Sequence, residues 1–529
     1  MSIFIVGLIP WFALLIAKTK RSLHMAQLNY YDESRKFLSW MIKNYVKIFI
    51  EVDLYIIIFV FLAMFVSPWA ISLMFAIFYL VIDFLYYKRI KKEDVIQPLV
   101  STPRVRRLVT TTLVLYFIPI AFMLWNYTPD RNGLYYSYLG ILLYLNFFVV
   151  YLAIYVNYPI EKLVNKYYRR KAEHKMADMK NLKVVGITGS YGKTSSKNIL
   201  NEILSIKYST LPTPKSFNTP YGLMITINNH LDKFDEIFIA EMGAFRKGDI
   251  QELCDFVHPK YGILTRIGIA HLESFGSQEN VQQGKFELIE SLPKDGVGIL
   301  NADDPLQVSY PLKNNCKIIW IGIDNKEADV RATYVKSSSR GTTFQVTING
   351  DKHKYKFETK LLGRANVYNI LSSIALGLEL GLTMDQMIQA VKAVKPVKSR
   401  LELVIQGGIN YIHDDYNANP VGAQMALEVL NDMDGKKVVV TPGIVDLGTA
   451  SKEVNQEFGK QIAAVADEVI LVQNPMVKYI KNGLQEAGYK DDKIHVIQDV
   501  KKAYNMVYKQ KETEEVYVLF ENDLPDNFK

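Results

Sequence analysis

The sequence predicts a multi-pass α-helical membrane region followed by two α/β domains, the first a P-loop doubly wound domain and the second Rossmann-like. Five long apolar runs fall within residues 1–157, and most are near the roughly 20 residues that cross a bilayer. A strand, a glycine loop and a helix start then follow one another in Val184–Leu200. Over the rest of the chain, two series of apolar strand patterns alternate with helical patterns, as is typical of parallel sheets.

Composition separates the front of the chain from the rest. The chain has 529 residues, of which 49% are hydrophobic and 12% aromatic, and the apolar excess lies in the first part. Cys254 and Cys316 are isolated, so the sequence predicts neither a disulfide framework nor a thiolate zinc site. The net charge is +8, but the basic residues cluster beside the apolar runs, where anionic lipid headgroups would lie. We therefore expect membrane lipid, and no nucleic acid, as a partner.

Each apolar run is interpreted as one membrane crossing. The first run lacks a basic leader and a clear cleavage site, so we expect it to remain as an anchor rather than to be removed. The runs are Ser2–Ala17, Phe49–Val66, Trp69–Tyr87, Leu108–Trp125 and Leu134–Val156.

The distribution of Lys and Arg predicts the orientation. Basic residues crowd Lys18–Lys47, Lys88–Arg107 and Lys162–Lys175, whereas Ser67-Pro68 and Asn126–Gly133 carry almost none. Because basic loops stay in the cytosol, we expect an external N-terminus and cytosolic catalytic domains, which an odd number of crossings also requires. Three carboxylates lie in or beside the apolar runs, and both an interfacial position and a transport or lipid-headgroup role are open for them. They are Glu51, Asp53 and Asp83.

The stretch V-V-G-I-T-G-S-Y-G-K-T-S-S-K-N-I-L (184–200) predicts a triphosphate site. Glycines let backbone N–H groups turn toward a phosphate, and the helix N-terminus adds positive potential. Lys193 can reach the outer phosphates and the Thr194 hydroxyl can bind Mg²⁺. The spacing departs from the usual pattern because Gly186 precedes Gly192 by one residue too many, so a simple glycine turn is the alternative.

The tripeptide Thr188-Gly189-Ser190 ahead of Gly192-Lys193-Thr194-Ser195 resembles the ATP loop of the Mur ligase family. The resemblance extends from about residue 182 to the end of the chain and is greatest to the branch that adds D-alanyl-D-alanine. Further segments follow in the family's order: S-F-N-T-P-Y-G (216–222), A-E-M-G-A-F-R-K-G-D-I (240–250), A-H-L-E-S-F-G-S (270–277), G-R-A-N-V-Y-N (363–369) and D-Y-N-A-N-P (415–420).

The resemblance implies a site with ATP and two Mg²⁺ ions. Thr194 and Glu241 would hold the Mg²⁺ that bridges the β- and γ-phosphates, and His271 a second one. Lys285 would be carbamylated, becoming an anion that supports the second metal. Taken alone, Glu241 could be a solvated loop residue, His271 a helix-cap histidine and Lys285 an exposed helical lysine.

The resemblance also implies the nucleotide contacts and the catalytic groups. The asparagines after β-strand patterns would contact adenine and ribose, and Arg400 would reach the γ-phosphate; an Asn-rich turn is the alternative for the segment around Asn417. The implied cofactor-binding residues are Thr188, Gly189, Ser190, Gly192, Lys193, Thr194, Ser195, Asn301, Arg364, Asn366, Asn369, Asp414, Tyr416, Asn417 and Asn419. The implied catalytic residues are Lys193, His271, Lys285, Arg400 and Asp414.

The expected organisation follows. We expect a transmembrane region over 1–157, a basic cytosolic linker over 158–179, a P-loop ATP-binding Mur ligase central domain over 180–395 and a Mur ligase C-terminal domain over 396–529.

The expected function is that of a multi-pass bacterial membrane protein which ligates a carboxylate to an amine at the expense of ATP. The acceptor would be a muramoyl peptide or a lipid-linked envelope precursor, and the amine an amino acid or dipeptide. A membrane-bound envelope-synthesis complex would be a further partner. The alternatives are a ligase that attaches amino acids to a lipid-linked saccharide, capsule or polyglutamate-type polymer, and a non-catalytic ATP-binding membrane scaffold.

Overall fold

The computed structural model describes the chain except for residues 1, 30, 32–35, 51–52, 64–67, 91–97, 269–274, 416–417, 446, 448–449, 509–514 and 523–529. The described residues form two compact units, which divide between Tyr167 and Tyr168. Three residues with predicted roles, His271, Tyr416 and Asn417, lie outside the described part, as does Glu51.

The first unit is helical. Its helices are α1 (Ser2–Leu28), α2 (Lys36–Lys43), α3 (Asp53–Ala63), α4 (Pro68–Ile90), α5 (Pro103–Trp125), α6 (Asn132–Tyr144) and α7 (Asn146–Asp178), the last of which continues into the second unit. Short π and 3₁₀ turns lie at Val46–Ile50 and Pro129–Arg131.

These helices differ from the predicted runs in three places. The first run continues as a helix to Leu28, through basic residues that favour helix as strongly as leucine does. The fifth run divides at Leu145, where the amide of Asn146 enters a buried polar cluster with Ser22 and Tyr116. The stretch expected as a linker over 158–179 is part of α7, so it is helical almost throughout.

Two of the described helices are long and apolar enough to cross a membrane. They are Pro103–Trp125, with a mean hydropathy of 2.0, and Asn146–Asp178, with a mean hydropathy of 1.4. Asp53–Leu62 is apolar but shorter.

The second unit begins with a predominantly parallel sheet. Its strands are β1 (Lys183–Thr188), β2 (Thr210–Pro212), β3 (Ile237–Glu241), β4 (Tyr261–Leu264), β5 (Val297–Asn301), β6 (Lys317–Gly322), β7 (Val330–Ser338), β8 (Gly341–Ile348) and β9 (Tyr355–Thr359), in the spatial order β2-β3-β1-β4-β5-β6-β7-β8-β9. β7, β8 and β9 pair antiparallel, whereas β6 and β7 pair parallel.

Helices cover this sheet and a second sheet follows. The helices are α8 (Lys193–Leu204), α9 (Pro220–Asn229), α10 (Asp249–Val257), α11 (Gln278–Glu290), α12 (Pro305–Val308), α13 (Gly363–Glu379) and α14 (Met384–Ala393). The strands of the second sheet are β10 (Glu402–Gln406), β11 (Ile409–Asp414), β12 (Lys436–Thr441), β13 (Glu468–Val472), β14 (Ile494–Ile497) and β15 (Val516–Glu521), with α15 (Pro420–Asn431), α16 (Ser451–Ala463), α17 (Val477–Glu486) and α18 (Lys501–Tyr508) between them.

The second sheet has the order β10-β11-β15-β12-β13-β14, and only its β10–β11 pair is antiparallel. The central strands of both sheets are buried on both faces, as the fully buried Val185, Ile239 and Val518 illustrate, and parallel strands require such continuous apolar runs. Polar ligands of such sheets bind at the carboxyl ends of the strands. The site is therefore expected at the carboxyl ends of β1, β3, β11 and β15.

Candidate active site

The loop after β1 has the backbone of a phosphate-binding loop. Gly189 has φ +147° and Gly192 has φ +79°, both in the region that favours glycine. A Cβ on Gly189 would lie 1.9 Å from Thr265 Oγ1, so no other residue fits there. The Ser190 N–H donates to the carbonyl oxygen of Arg266 at 2.9 Å, which fixes the loop against the end of β4.

Lys193 lies at the N-terminus of α8 and folds over the loop. Its Nζ donates to the carbonyl oxygens of Gly189 at 2.8 Å and Ser190 at 3.2 Å. Burial lowers the pKa of Lys193 to about 8; the charge of Arg400 adds to this effect and that of Glu241 opposes it. Lys193 therefore lies within the electrostatic range of the Glu241 carboxylate and of a second cation, Arg400.

Glu241 ends β3 with its carboxylate held from three sides. Its side chain is 1% exposed. Thr194 Oγ1 donates to the two carboxylate oxygens at 3.0 and 3.2 Å, Asn218 Nδ2 donates to Oε1 at 3.2 Å, and Lys197 Nζ donates to Oε2 at 3.0 Å. One hydroxyl and one fixed carboxylate are the protein ligands that Mg²⁺ uses beside phosphate and water, so the pair Thr194–Glu241 fits this ion.

Sequence reasoning gave no role to Lys197 or Asn218. Lys197 lies one helical turn after Lys193, and this spacing is a signal that could have placed it on the same side of α8. It also donates to the carbonyl oxygen of Lys215, a non-glycine residue at φ +48°. Lys197 thus joins α8, β3 and the segment that carries Asn218.

Among the described residues, no group of three His, Cys, Asp or Glu side chains could hold a metal ion.

Lys285 is buried in α11 rather than exposed. Its side chain is 2% exposed, and its Nζ lies 5.6 Å from the centre of the Phe275 ring. Burial, together with the charge of Lys193, holds the pKa of Lys285 well below its usual value. A neutral amine is therefore favoured at this position.

A cavity opens between the two α/β sheets of this unit. Arg400 and Asp414 line it from one side and the loop at Gly192 from the other. The predicted site residues that line the cavity are Gly192, Ser195, Asn301, Asn366, Asn369, Arg400, Asp414 and Asn419.

Six described residues predicted to bind the cofactor do not line the cavity: Thr188, Gly189, Ser190, Lys193, Thr194 and Arg364. Thr188 is fully buried and its hydroxyl donates to the carbonyl oxygen of Met242 at 2.9 Å. Arg364 forms an ion pair with Asp324. In this structure, neither side chain is part of the cavity wall.

The asparagines of the cavity are held in place by the fold. Asn301 Oδ1 accepts the N–H of Asp303 at 2.9 Å, and Asn366 Nδ2 donates to the carbonyl oxygen of Leu362 at 2.9 Å. Asn419 Oδ1 caps α15 by accepting the N–H of Gly422 at 2.7 Å. Each amide is thus oriented through one of its two polar atoms.

Arg400 belongs to the segment that joins the two sheets. Its neighbours Ser399 and Leu401 have φ of 59° and 48°, which is uncommon outside glycine. The Leu401 N–H donates to Asp414 Oδ1 at 3.2 Å. Burial raises the pKa of Asp414 to about 7, although the charge of Arg400 opposes the rise.

Glu521 is the cavity residue that sequence reasoning missed. It ends β15, directly beside Asp414 in the parallel register with β11, lines the cavity and is 1% exposed. A strand that ends in an acidic residue is common, so V-Y-V-L-F-E (516–521) contains no signal that distinguishes this position. Only the pairing of β11 with β15, about 100 residues apart in sequence, brings the two carboxylates together.

Comparison with known proteins identifies the family. Residues 187–377 match the Mur ligase middle domain, and residues 399–520 match the Mur ligase glutamate ligase domain. The chain is 30% identical over 317 residues to the UDP-N-acetylmuramoyl-tripeptide--D-alanyl-D-alanine ligase of Bacillus subtilis (strain 168), an alignment that covers 59% of this chain and 67% of that protein.

Two further relatives agree with this match. The ligase of the same name from Escherichia coli (strain K12) is 31% identical over 292 residues, with 55% of this chain and 64% of that protein covered. The solved structure of MurF ligase from Thermotoga maritima in complex with ADP superposes with a TM-score of 0.61 at 28% identity, over 68% of this chain and 80% of that one.

The chain therefore belongs to the Mur ligase family and has the family's central and C-terminal α/β domains. Members of this family are ATP-dependent ligases that form peptide bonds, and this chain is an enzyme of that class. It spans about two thirds of the length of the first two relatives, and residues before 187 lie outside both family matches.

Proposed function

We propose that the protein is a membrane-anchored ATP-dependent ligase which joins the amine of an amino acid or dipeptide to the carboxylate of a cell-envelope precursor. The observation that carries this proposal is the phosphate-binding loop with Lys193 and the Thr194–Glu241 pair, next to a cavity that Gly192, Ser195 and Arg400 line. Phosphoryl transfer requires a cation at a glycine loop, a pair of donors that bind Mg²⁺ and a second cation, which here comes from the facing domain.

ATP and Mg²⁺ fit the residues of this site. When bound, ATP supplies the phosphoryl group that activates a carboxylate as an acyl phosphate. Lys193 and Arg400 would neutralise phosphate charge, and Thr194 with Glu241 would hold the metal. The catalytic domains, proposed as 180–395 and 396–529, exclude water from the cavity.

The oriented asparagines support a nucleotide at the other end of the cavity. Asn301, Asn366 and Asn369 would bind adenine and ribose, and Asp414 would contact the nucleotide from the C-terminal domain. The same assignment extends to Thr188, Gly189, Ser190, Gly192, Ser195, Arg364, Tyr416, Asn417 and Asn419.

We further propose a second Mg²⁺ held by His271 and supported by carbamylated Lys285. The burial of Lys285 supports this assignment, because the neutral amine is the form that reacts with CO₂. Carbamylation would turn a cation that opposes a neighbouring metal into an anion that stabilises it.

We further propose a multi-pass membrane region with five crossings and cytosolic catalytic domains, in a bacterial cell membrane. Two of the described helices are long and apolar enough to cross a membrane. Only 22% of the apolar window in Pro103–Trp125 is buried within the protein, and Phe117, Phe122 and Trp125 are 71%, 70% and 89% exposed. Aromatic side chains exposed to this degree require an apolar environment. A tag after Lys529 should be shielded in intact cells and a tag before Ser2 accessible; equal accessibility of both tags would contradict the five-crossing topology.

The acceptor has two candidates. The relatives' names favour a UDP-linked muramoyl tripeptide with D-alanyl-D-alanine as the amine. The exposed apolar helices favour a lipid-linked saccharide or another polymer precursor held at the membrane, within an envelope-synthesis complex.

ADP release by the purified full-length chain tests the proposal. We expect release only when Mg²⁺, an acceptor and an amine are all present, measured with UDP-muramoyl tripeptide and with lipid-linked acceptors, each with and without D-alanyl-D-alanine. Release that does not depend on the acceptor and amine, or no release with any pair, would contradict the ligase proposal.

A further inference from the structure

Glu521 differs from the other buried glutamates of the described chain. Glu161 pairs with Arg107, Glu241 is held as described above, Glu287 accepts the N–H groups of Gly248 and Gln251, and Glu468 pairs with Lys436 and His495. Among the described residues, neither carboxylate oxygen of Glu521 has a hydrogen-bond partner. Burial of a carboxylate without a partner is costly, and a ligand that supplies hydrogen-bond donors would offset this cost.

The residue after Glu521 fixes the end of β15. The next residue, Asn522, has φ +71°, and its Nδ2 donates to the carbonyl oxygen of Gly443 at 2.6 Å. Its Oδ1 accepts the N–H of Ala418 at 3.2 Å. These bonds fix the end of β15 against two neighbouring loops, and Glu521 is one of the residues that line the cavity.

The neighbour of Glu521 makes the site attractive to a cation. Asp414 lies beside it in the register of β11 and β15, and adjacent strands are about 4.8 Å apart. The charges of Asp414 and Asp415, after burial itself, raise the pKa of Glu521 well above its usual value. Asp415 already has a partner in His413, at 3.3 Å. Two carboxylates that face one cavity bind a positively charged hydrogen-bond donor better than a neutral one.

The site lies at the phosphate end of the cavity. Arg400 lines the same cavity as Asp414 and Glu521, and its charge lowers the pKa values of both Asp414 and Lys193. A cation held by Asp414 and Glu521 would therefore lie next to the group that ATP activates.

We propose that Glu521, together with Asp414, binds the ammonium group of the incoming amine substrate, and that Glu521 is the base that removes its proton. The inference rests on the proposed ligase function and names the substrate class of its second site: a primary amine of an amino acid or dipeptide. Asp414 then lies between the nucleotide and the amine. An N-acylated dipeptide has no ammonium group and does not bind.

The proton balance of the step is complete. The ammonium transfers one proton to the Glu521 carboxylate, and the free nitrogen lone pair forms the C–N bond with the acyl carbon. The C–O bond to phosphate breaks and its electron pair leaves with the phosphate, which takes the second proton from nitrogen. Glu521 returns its proton to solvent before the next turnover.

The test compares Glu521→Gln with Glu515→Gln in the full chain. Gln has the shape of a protonated Glu, and Glu515 is exposed just before the start of the same strand. ADP release is measured against the concentration of D-alanyl-D-alanine at saturating ATP and UDP-muramoyl tripeptide, over a range of pH. The affinity for ATP and inhibition by N-acetyl-D-alanyl-D-alanine are measured separately.

We expect Glu521→Gln to raise the KM for the dipeptide by about 10- to 100-fold, the effect of losing a hydrogen bond to a charged group. The affinity for ATP stays unchanged, the activity of the variant recovers at high pH, where the amine is already deprotonated, and the N-acetyl dipeptide does not inhibit the wild type. Glu515→Gln behaves as the wild type does.

An unchanged KM for the dipeptide would overturn the assignment while the ligase proposal stands. If Glu521→Gln instead lowers the affinity for ATP, Glu521 and Asp414 bind the ribose hydroxyls of the nucleotide. That result would also overturn the assignment. If the wild type releases no ADP with any acceptor and amine, both proposals fail, because no amine substrate then exists.

Discussion

Glu241 and Glu521 occupy equivalent places in the two sheets of the second unit and have opposite surroundings. Each ends a central parallel strand and each is 1% exposed. Glu241 receives hydrogen bonds from Thr194, Lys197 and Asn218, whereas Glu521 receives none from the described residues.

The difference separates two ways of using a buried carboxylate. A carboxylate with several protein donors is oriented before any ligand arrives, which suits a metal ligand that must hold its geometry. A carboxylate without them is free to accept bonds from a ligand and to change its protonation, which suits a group that binds and deprotonates an amine. The predictions below test this contrast, from the largest expected effect to the smallest.

Lys193→Ala tests the phosphate end. We expect it to reduce ATP turnover by about 10³-fold, the upper end for loss of one donor to developing charge, while membrane insertion is unaffected. Lys180→Ala, which removes an exposed lysine just ahead of β1, is the matched control. Normal turnover in Lys193→Ala would rule out a phosphate-binding loop.

Glu241→Gln tests the preorganised carboxylate. Turnover should fall by about 10²-fold or more and require a higher Mg²⁺ concentration. The melting temperature should also fall, because loss of the charge leaves the Lys197 ammonium buried without its anion, at a cost of about 3–5 kcal/mol.

The double variant Glu241→Gln with Lys197→Met separates these two effects. It removes both charges, so thermal unfolding should show recovered stability, while ADP release stays low because the metal ligand is still missing. Recovery of ADP release in the double variant would show that Glu241 serves only to pair Lys197.

Lys285→Ala tests the carbamylated lysine. Activity should fall by about 10²-fold, as for loss of a group that supports a metal, and acetate should partly restore it because a small anion can enter the vacated space. Lys285→Arg places a fixed positive charge there and should be inactive. Full activity of either variant would show that Lys285 has no role beside a metal.

Glu521→Gln also has a smaller effect on stability that depends on pH. Folding raises the pKa of the Glu521 carboxyl. At pH values between its unfolded and its folded pKa, the carboxyl is therefore protonated in the folded chain and ionised in the unfolded chain. Wild-type stability therefore falls as pH rises above about 4.3, the unfolded value, and the neutral variant escapes this loss.

As the pH rises, the free energy of unfolding of Glu521→Gln should therefore exceed that of the wild type by about 1–3 kcal/mol, because an unsatisfied buried group costs this much. Thermal unfolding at several pH values measures the difference. Glu515→Gln should show no such trend. A difference that is independent of pH would indicate that Glu521 has a partner at neutral pH.

The sequence predicts one half of the site better than the other, and the reason is physical. Gly189 and Gly192 have dihedral angles that need glycine, and Lys193 and Thr194 follow within a few residues, so a local pattern contains the whole loop. Lys197 lies one helical turn after Lys193, so a local pattern could have included it. Glu521 depends on the pairing of two strands far apart in sequence, and the division of the fifth apolar run depends on contacts of Asn146, so no local pattern predicts either.

The most direct test of the account follows oxygen from the acceptor to phosphate. UDP-muramoyl tripeptide labelled with ¹⁸O in its terminal carboxylate is incubated with ATP, Mg²⁺ and D-alanyl-D-alanine, and the released phosphate is analysed by mass spectrometry. A ligase that activates the carboxylate as an acyl phosphate transfers one ¹⁸O atom to phosphate for each amide bond formed. Phosphate released without ¹⁸O would show that water attacks ATP directly, and would contradict the assignment of this cavity as a ligase site.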